Sequence, residues 1–234
     1  DQAQAIFEKV LAIRQKALGD KDPALAPTFE NIGEVLLEKG DYPAAIPYLQ
    51  QAIFLYGGPK QPASAPAGHK IGLCYQRLGN YDLAVHHHLD ALGPIESLYG
   101  DQVYAATIYS NIGVCYLQKQ EYAQSILNFK IAAYKLHQNL PQGHPDLAQI
   151  HNSMAVGYIQ QGFLDTASMQ SLLAIRALQQ IGQMQGLGYS QVLRTRAEIL
   201  LQQGKIYASS KLLQEALKAL DYQPGETLWG SEIT

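Results

Sequence analysis

Hydrophobic residues recur along most of the chain at spacings of three and four, which is the pattern of an amphipathic α-helix. The pattern is clearest in residues 106–136. Ile112 and Tyr116 share one face of a first helix there, and Phe129 and Ala132 share one face of a second. The pattern breaks near Gln120–Glu121. This stretch therefore predicts two short helices joined by a turn.

The same two-helix pattern returns along the chain at a nearly constant interval. One small residue occupies the equivalent position in each copy, and successive positions are 39, 41, 42 and 42 residues apart: Gly33, Gly72, Gly113, Ala155 and Ala197. A fixed period in this range, with two helices in each copy, is typical of a solenoid whose repeats pack on their neighbours. The predicted fold class is all-α, a superhelical solenoid of antiparallel helix pairs.

The residues around these positions resemble the tetratricopeptide repeat (TPR). That family has a bulky residue, a hydrophobic residue, a small residue, an aromatic residue and a turn glycine, followed by alternating small and large residues. The first copy fills these places with Phe29, Ile32, Gly33, Leu36, Gly40, Tyr42, Ala45, Leu49 and Ala52. Two departures stand out. Gly68 occupies the place of the bulky residue in the second copy, and Arg196 occupies an apolar place in the fifth.

The length of the copies adds a second resemblance. Ordinary TPR units have about 34 residues, and these are longer. The segments Leu11–Ala26 and Gly143–Ala155 resemble the linkers of kinesin-light-chain-type repeats, where the second helix runs on before a Gly–Asp–His–Pro-like turn. This resemblance groups the chain with kinesin light chains, their bacterial look-alikes and similar arrays in other scaffold proteins, without choosing between them.

The repeat pattern also predicts the organisation of the chain. We expect a TPR array over residues 1–220, followed by an irregular tail, 221–234. Within it we expect a leading half-repeat at 1–18 and repeats at about 26–56, 65–99, 106–138, 148–180 and 190–220. Gly57–Pro66 excludes a continuous helix, Ile181–Ser190 is interpreted as a hinge, and Pro94 predicts a kink or an early helix end. We expect Trp229 to dock on the last helix or to belong to a further segment. Because the chain starts at Asp1 inside the pattern, we expect it to be part of a longer protein.

Composition narrows the class of partner. Hydrophobic residues make up 47% of the chain, charged residues only 16%, and the formal net charge is −3. This balance lacks the basic surface that nucleic-acid binding requires. No apolar run approaches the roughly 20 residues needed to span a bilayer, and no signal-peptide pattern opens the chain. Cys74 and Cys115 stand at the same place in neighbouring copies, and we interpret them as buried apolar fillers. We predict a cytoplasmic protein with no membrane span.

The sequence predicts no catalytic residue, no metal site and no cofactor. Successive helical residues point about 100° apart, so His86, His87 and His88 cannot all bind one ion from one helix. His88 falls at a core position, and the other two are expected to face outward. Glu30 and Glu34 lie one helical turn apart and are interpreted as a solvated groove wall, with a cation site as the alternative. No phosphate-loop or nucleophile-elbow motif is present.

The family resemblance implies that function lies on the concave surface formed by the first helices, where a partner peptide would bind. Carried over residue by residue, the lining comprises Glu30, Asn31, Glu34, His69, Lys70, Leu73, Arg77, Ser110, Asn111, Val114, Gln118, Asn152, Gln160, Arg194 and Glu198. Asn31, Asn111 and Asn152 recur on this wall. Their amides could grip a peptide backbone, or they could simply be polar residues on a hydrated helix face.

The charges on this lining predict the kind of partner. Lys70, Arg77 and Arg194 favour a protein or peptide ligand with acidic residues. The Lys–Asn pair by which chaperone-binding TPR domains grip a terminal carboxylate is not matched in the first two complete copies. We therefore predict a non-catalytic adaptor or scaffold that binds a peptide segment of its partner. The alternative is a regulatory or sensor array within a larger signalling protein or enzyme, and self-association through the end helices is a third possibility.

Overall fold

The computed structural model of the protein describes residues 2–96, 102–140 and 144–220. Within these ranges the chain forms eleven α-helices and no strand, so the predicted all-α fold class is confirmed. The helices are α1 (Gln2–Leu18), α2 (Ala26–Glu38), α3 (Tyr42–Leu55), α4 (Ala65–Arg77), α5 (Tyr81–Pro94), α6 (Gln102–Gln118), α7 (Tyr122–Asn139), α8 (Pro145–Gln160), α9 (Leu164–Gln180), α10 (Gly186–Gln202) and α11 (Ile206–Ala219). Short 3-10 helices at Pro23–Leu25 and Pro62–Ser64 precede α2 and α4.

Helices α2 to α11 form five pairs, and α1 packs against α2. Each pair turns through a residue with a left-handed backbone. Four of these residues are glycines, with φ of 82° at Gly40, 76° at Gly79, 78° at Gly162 and 76° at Gly204. The pair α6–α7 turns through Gln120 instead, at φ 62°. Glycine adopts this conformation without steric cost, so the turn explains the glycine of the repeat pattern.

The small residue that sets the period lies where the two helices of a pair approach closely. A Cβ atom built on Gly33 would lie 2.6 Å from Leu49 Cγ, and one built on Gly113 would lie 2.8 Å from Phe129 Cε1. A side chain at either position would therefore overlap the facing residue. In the pair α8–α9, Ala155 fits because the residue at the facing position is the small Ser171.

The chain divides into two compact units, residues 1–135 and 136–234, with the boundary inside α7. In the N-terminal unit, Leu25, Ile32, Leu49 and Ile71 are fully buried in one apolar cluster. In the C-terminal unit, Ala155, Ile159, Ala167 and Ile199 form another. Each cluster draws on neighbouring pairs, so the core is built between adjacent helices rather than around one centre.

Several helix ends differ from those that the sequence predicts. Helices α6 and α8 begin before the predicted starts at 106 and 148. Residues 186–190 belong to α10, so the predicted hinge at 181–190 is wrong over its second half. Glycines in the first turn of a helix reduce its stability little, because the N–H groups of that turn have no partner within the helix in any case. The predicted break near 120 is confirmed. The predicted break at 57–66 is confirmed for residues 57–64, while α4 already begins at Ala65. Pro94 is the last residue of α5, and residues 95 and 96 continue in a π-helical conformation. Trp229 lies outside the described residues.

None of the helices in the described ranges combines the length and the hydropathy that a membrane crossing needs.

Candidate functional site

The predicted lining residues of the N-terminal unit lie on α2, α4 and α6, with different degrees of exposure. Asn31, Arg77 and Gln118 are exposed. The half-buried residues are Glu30, Glu34, Lys70, Leu73, Ser110, Asn111 and Val114. His69 is only 5% exposed, so the prediction that it lines a groove is wrong. Its ring is turned into the packing between α4, α5 and α6, as its contacts show.

Lys70 connects the first two pairs through two carboxylates. Its Nζ donates to Glu30 Oε1 at 2.8 Å and to Glu34 Oε2 at 2.7 Å, and the Lys70 side chain is 18% exposed. Burial alone would lower the pKa of Lys70, but the hydrogen bonds from its ammonium to Glu30 and Glu34 raise that pKa overall. The prediction that Lys70 adds free positive charge to this surface is therefore wrong. With all three groups ionised, the cluster carries one net negative charge.

His69 and His88 form a buried pair that the sequence analysis did not anticipate. Their Nδ1 atoms are 3.1 Å apart, and His69 contacts the Tyr104 ring edge-on at 5.4 Å between centroids. Burial lowers the pKa of His69 to about 4 and that of His88 to about 3. Both rings are thus neutral at pH 7, with one Nδ1–H donating to the other ring. The sequence held a signal for this contact, because His88 follows Gly72 at the same interval as Leu49 follows Gly33.

The other two histidines of the run and the two cysteines do not form a site together. His86 is exposed, as predicted, but His87 is half-buried and stacks on Tyr75 with a 5.4 Å centroid distance. The prediction that His87 faces outward is therefore only partly correct. Cys74 and Cys115 are free and fully buried, which confirms their interpretation as apolar fillers. Burial raises the pKa of the Cys74 thiol to about 11 and that of Cys115 to about 12, so neither thiol is activated. In the described part of the chain, no three His, Cys, Asp or Glu residues are grouped as metal ligands.

In the C-terminal unit, three of the four predicted lining residues surround one cavity. Asn152 of α8, Arg194 and Glu198 of α10 contribute to its wall, while Gln160 does not. The cavity has a volume of about 550 Å³, and Ser209 and Leu213 of α11 form one side of it. A cavity of this size, open to solvent and lined by both polar and apolar groups, can hold several side chains of a bound segment.

Asn152 has an unused acceptor at this cavity. Among the described residues, its Oδ1 atom is shielded from solvent and accepts no hydrogen bond. Buried polar atoms in native proteins almost always have a partner, so an exception requires an explanation. Because this oxygen is shielded, the Asn152 side chain would have to turn toward the cavity before a backbone N–H of a bound peptide could donate to it. Arg194 and Glu198, both exposed, provide one charge of each sign beside it.

The comparisons with known proteins agree with this architecture. The family model described as Tetratricopeptide repeat matches residues 1–56 and 64–140, together more than half of the chain. A comparison with curated protein sequences gives no match.

Solved structures with a similar fold include kinesin-light-chain-like arrays. The crystal structure of BtubC (BKLC) from P. vanneervenii is 17% identical, with a TM-score of 0.78 over 100% of this chain and 97% of that one. A putative kinesin light chain from Podosopora anserina with nearly identical TPR-like repeats is 11% identical, with a TM-score of 0.69 over 84% of this chain and 95% of that one. The apo form of RapI is 13% identical, with a TM-score of 0.65 over 90% of this chain and 89% of that one. At these identities the likeness concerns the fold alone.

Proposed function

This chain belongs to the tetratricopeptide-repeat family, and from that premise we propose that it is a non-catalytic adaptor that binds an extended segment of a partner protein. The TPR fold supports a role in protein–protein interaction in general. The more specific proposal is that the cavity between α8, α10 and α11 of the C-terminal unit receives the segment. The bound chain would lie across the first helices, in the manner of peptides bound in helical grooves.

The observation that carries the proposal is an open cavity of about 550 Å³ lined by Asn152, Arg194 and Glu198, in which Asn152 has an Oδ1 atom with no hydrogen-bond donor among the described residues. An acceptor in this position favours a ligand with regularly spaced N–H donors, which a polypeptide backbone supplies whatever its sequence. Gln149 and Gln191 also line the cavity, and their amides can both donate and accept. This chemistry suits a peptide better than a small apolar compound.

The charges favour an acidic residue in the bound segment, but at a different place from the one that the sequence suggests. Lys70 is held by two carboxylates, so it contributes little to attracting an anion. Arg194 is exposed at the cavity and is the better candidate. Glu198, one helical turn further along α10, favours a partner segment with a basic or polar residue near the acidic one.

The test is a selection of peptides from a random library on the complete chain, followed by fluorescence-anisotropy titration of the selected peptides. Asn152→Ala should weaken binding about tenfold, because it removes the acceptor for a backbone donor, a loss of roughly 1–1.5 kcal/mol. Arg194→Glu should weaken binding of acidic peptides by a similar factor at low salt and by less at high salt.

Two matched variants control for nonspecific effects. Gln179→Ala shortens an exposed amide on the second helix α9, outside the cavity lining and away from the first-helix surface. Lys211→Glu reverses an exposed cation on α11, also outside the lining. Both should bind as the parent chain does. Equal affinity for all five proteins would refute this cavity as the peptide site.

A further inference from the structure

One helix of the N-terminal unit lacks a bulky side chain that its counterparts carry. At the position four residues before the small residue of the repeat pattern, the first copy has Phe29 and the third has Tyr109. The fourth copy has His151, again a ring. The second copy has Gly68 in α4, which has no side chain at all.

In the first and fourth pairs this side chain contacts a defined residue of the second helix. The rings of Phe29 and Tyr48 have centroids 6.3 Å apart. His151 Nδ1 lies 2.8 Å from Gln170 Oε1, at the same separation of 19 residues along the chain. The corresponding residue for Gly68 is His87, which stacks on Tyr75 instead. The space that a ring fills in the first pair is therefore vacant beside His87.

A cavity of about 280 Å³ occupies this place, between α3 and α5 and above α4. Ile53 and Pro59 give its wall apolar surface, the buried Ala65, Ile71 and Ala91 pack directly behind, and His87 lines one side. A Cβ atom on Gly68 would meet only Ala91 Cβ, at 3.8 Å, so the backbone leaves room for a side chain. The space is thus accessible rather than filled by a shifted neighbour.

The volume of this cavity indicates the size of ligand that it can hold. Sites for drug-sized ligands and cofactors occupy about 300–1,000 Å³, whereas an apolar cavity of about 150 Å³ already accepts a benzene ring. A volume between these limits suits one large side chain. Burial, with a smaller contribution from His86, lowers the pKa of His87, so its ring is neutral at pH 7 and can pack against another ring. Asp90 lies on the rim with 47% of its side chain exposed.

We propose that the cavity at Gly68 binds an aromatic side chain of a partner segment, with a basic residue of that segment next to Asp90. The incoming ring would occupy the place that Phe29 takes in the first pair and would contact His87. The site lies between the second helices α3 and α5, so it is separate from the first-helix surface proposed above. It would give the N-terminal unit an interaction of its own, independent of the cavity at Asn152.

The experiment is an NMR titration of the complete methyl-labelled chain with capped dipeptides. Acetyl-Phe-Lys-amide should produce saturable shifts in the methyl signals of Ile53, Ile71 and Ala91, and acetyl-Ala-Lys-amide should not. Gly68→Phe fills the cavity with the side chain of the first copy and should weaken binding at least tenfold. Gly188→Phe is the matched control, because it adds the same ring to an exposed first-helix glycine elsewhere. This control should bind as the parent chain does.

Two more variants test the walls of the cavity without filling it. His87→Ala removes the ring contact and should weaken binding of the Phe peptide severalfold, even if Gly68→Phe fails to fold. Asp90→Asn should weaken acetyl-Phe-Lys-amide by about two- to fivefold while leaving acetyl-Phe-Gln-amide unchanged. The proposal is overturned if the Phe peptide gives no saturable shifts, if the Ala peptide binds equally, or if neither Gly68→Phe nor His87→Ala changes the affinity.

Discussion

Replacing glycine by alanine should have opposite effects on stability at Gly113, where α6 and α7 approach closely, and at Gly68, where the helix has free space beside it. Gly113→Ala should destabilise the protein, because the new Cβ atom would lie 2.8 Å from Phe129 Cε1 and 2.9 Å from Phe129 Cδ1. Phe129 is fully buried, so its ring has little room to move. Gly68→Ala should stabilise the protein, because its Cβ atom would meet only Ala91 Cβ at an ordinary contact distance of 3.8 Å.

The magnitudes follow from two terms. Replacing glycine by alanine within a helix gains about 0.5–1 kcal/mol, because the unfolded chain loses conformational freedom. Gly68→Ala receives this gain alone. Gly113→Ala also carries the cost of overpacking a close-packed site, typically about 1–3 kcal/mol. We therefore expect Gly113→Ala to lower the free energy of unfolding by up to about 2.5 kcal/mol, and the two variants to differ by about 1–3 kcal/mol.

Urea denaturation followed by circular dichroism would measure both effects. A third variant, Gly113→Ala with Phe129→Ser, recreates the Ala155–Ser171 combination of the fourth copy. In that background the alanine should no longer be penalised, although the loss of the buried ring lowers overall stability. The steric explanation would fail if Gly113→Ala were as stable as Gly68→Ala, or if its cost persisted in the Phe129→Ser background.

Three further predictions concern other features. Between pH 6.5 and 4.5 the native state should lose about 2–3 kcal/mol through His69, because its folded pKa of about 4 lies below the unfolded value of 6.5, so the unfolded chain binds more protons. A His69→Leu/His88→Leu variant should flatten this part of the pH–stability curve from urea denaturation, and an unchanged slope would contradict the assignment. Gln120→Gly should raise stability by about 0.5–1 kcal/mol, visible as a higher melting temperature, because φ is 62° there. Lys70→Met should lower the free energy of unfolding in urea by about 1–2 kcal/mol, because it leaves the half-buried Glu30 carboxylate with the Tyr56 hydroxyl as its hydrogen-bond donor but without a cation. Glu30→Gln in the same chain should recover part of that loss, and strict additivity would argue against the ion pair.

The fold could be predicted because its constraints are local. Gly33, Gly72 and Gly113 recur because two helices that are adjacent in sequence approach each other closely at each of them. The turn glycines recur because the turn requires a left-handed backbone. Neither constraint requires knowledge of distant contacts. Helix starts were less accurate, as at Gly186, because the first turn of a helix tolerates residues that weaken its interior.

The candidate sites were less predictable, because they depend on contacts between repeats. Assigning lining residues by position placed Asn152, Arg194 and Glu198 around a single cavity. The same assignment failed for His69, which turns inward to His88, and it did not foresee that Glu30 and Glu34 hold Lys70 from the next helix pair. A position within a repeat fixes the direction of a residue only when the facing residues are those of the family pattern. His88 is not typical of that pattern, and His69 is turned inward in contact with it.

The departures from the pattern are therefore where the individual chemistry of this chain is concentrated. In a solenoid each repeat contacts only its neighbours, so an atypical residue perturbs one interface and leaves the others intact. Gly68 leaves a cavity beside His87, and Gln120 accepts a strained turn, yet the helix pairs form around both. A strained or unfilled position that persists at a stability cost of the order of 1 kcal/mol is a reasonable place to look for binding. By this criterion Gly68 ranks above Gln120, because only at Gly68 does the departure create a space that another molecule can occupy.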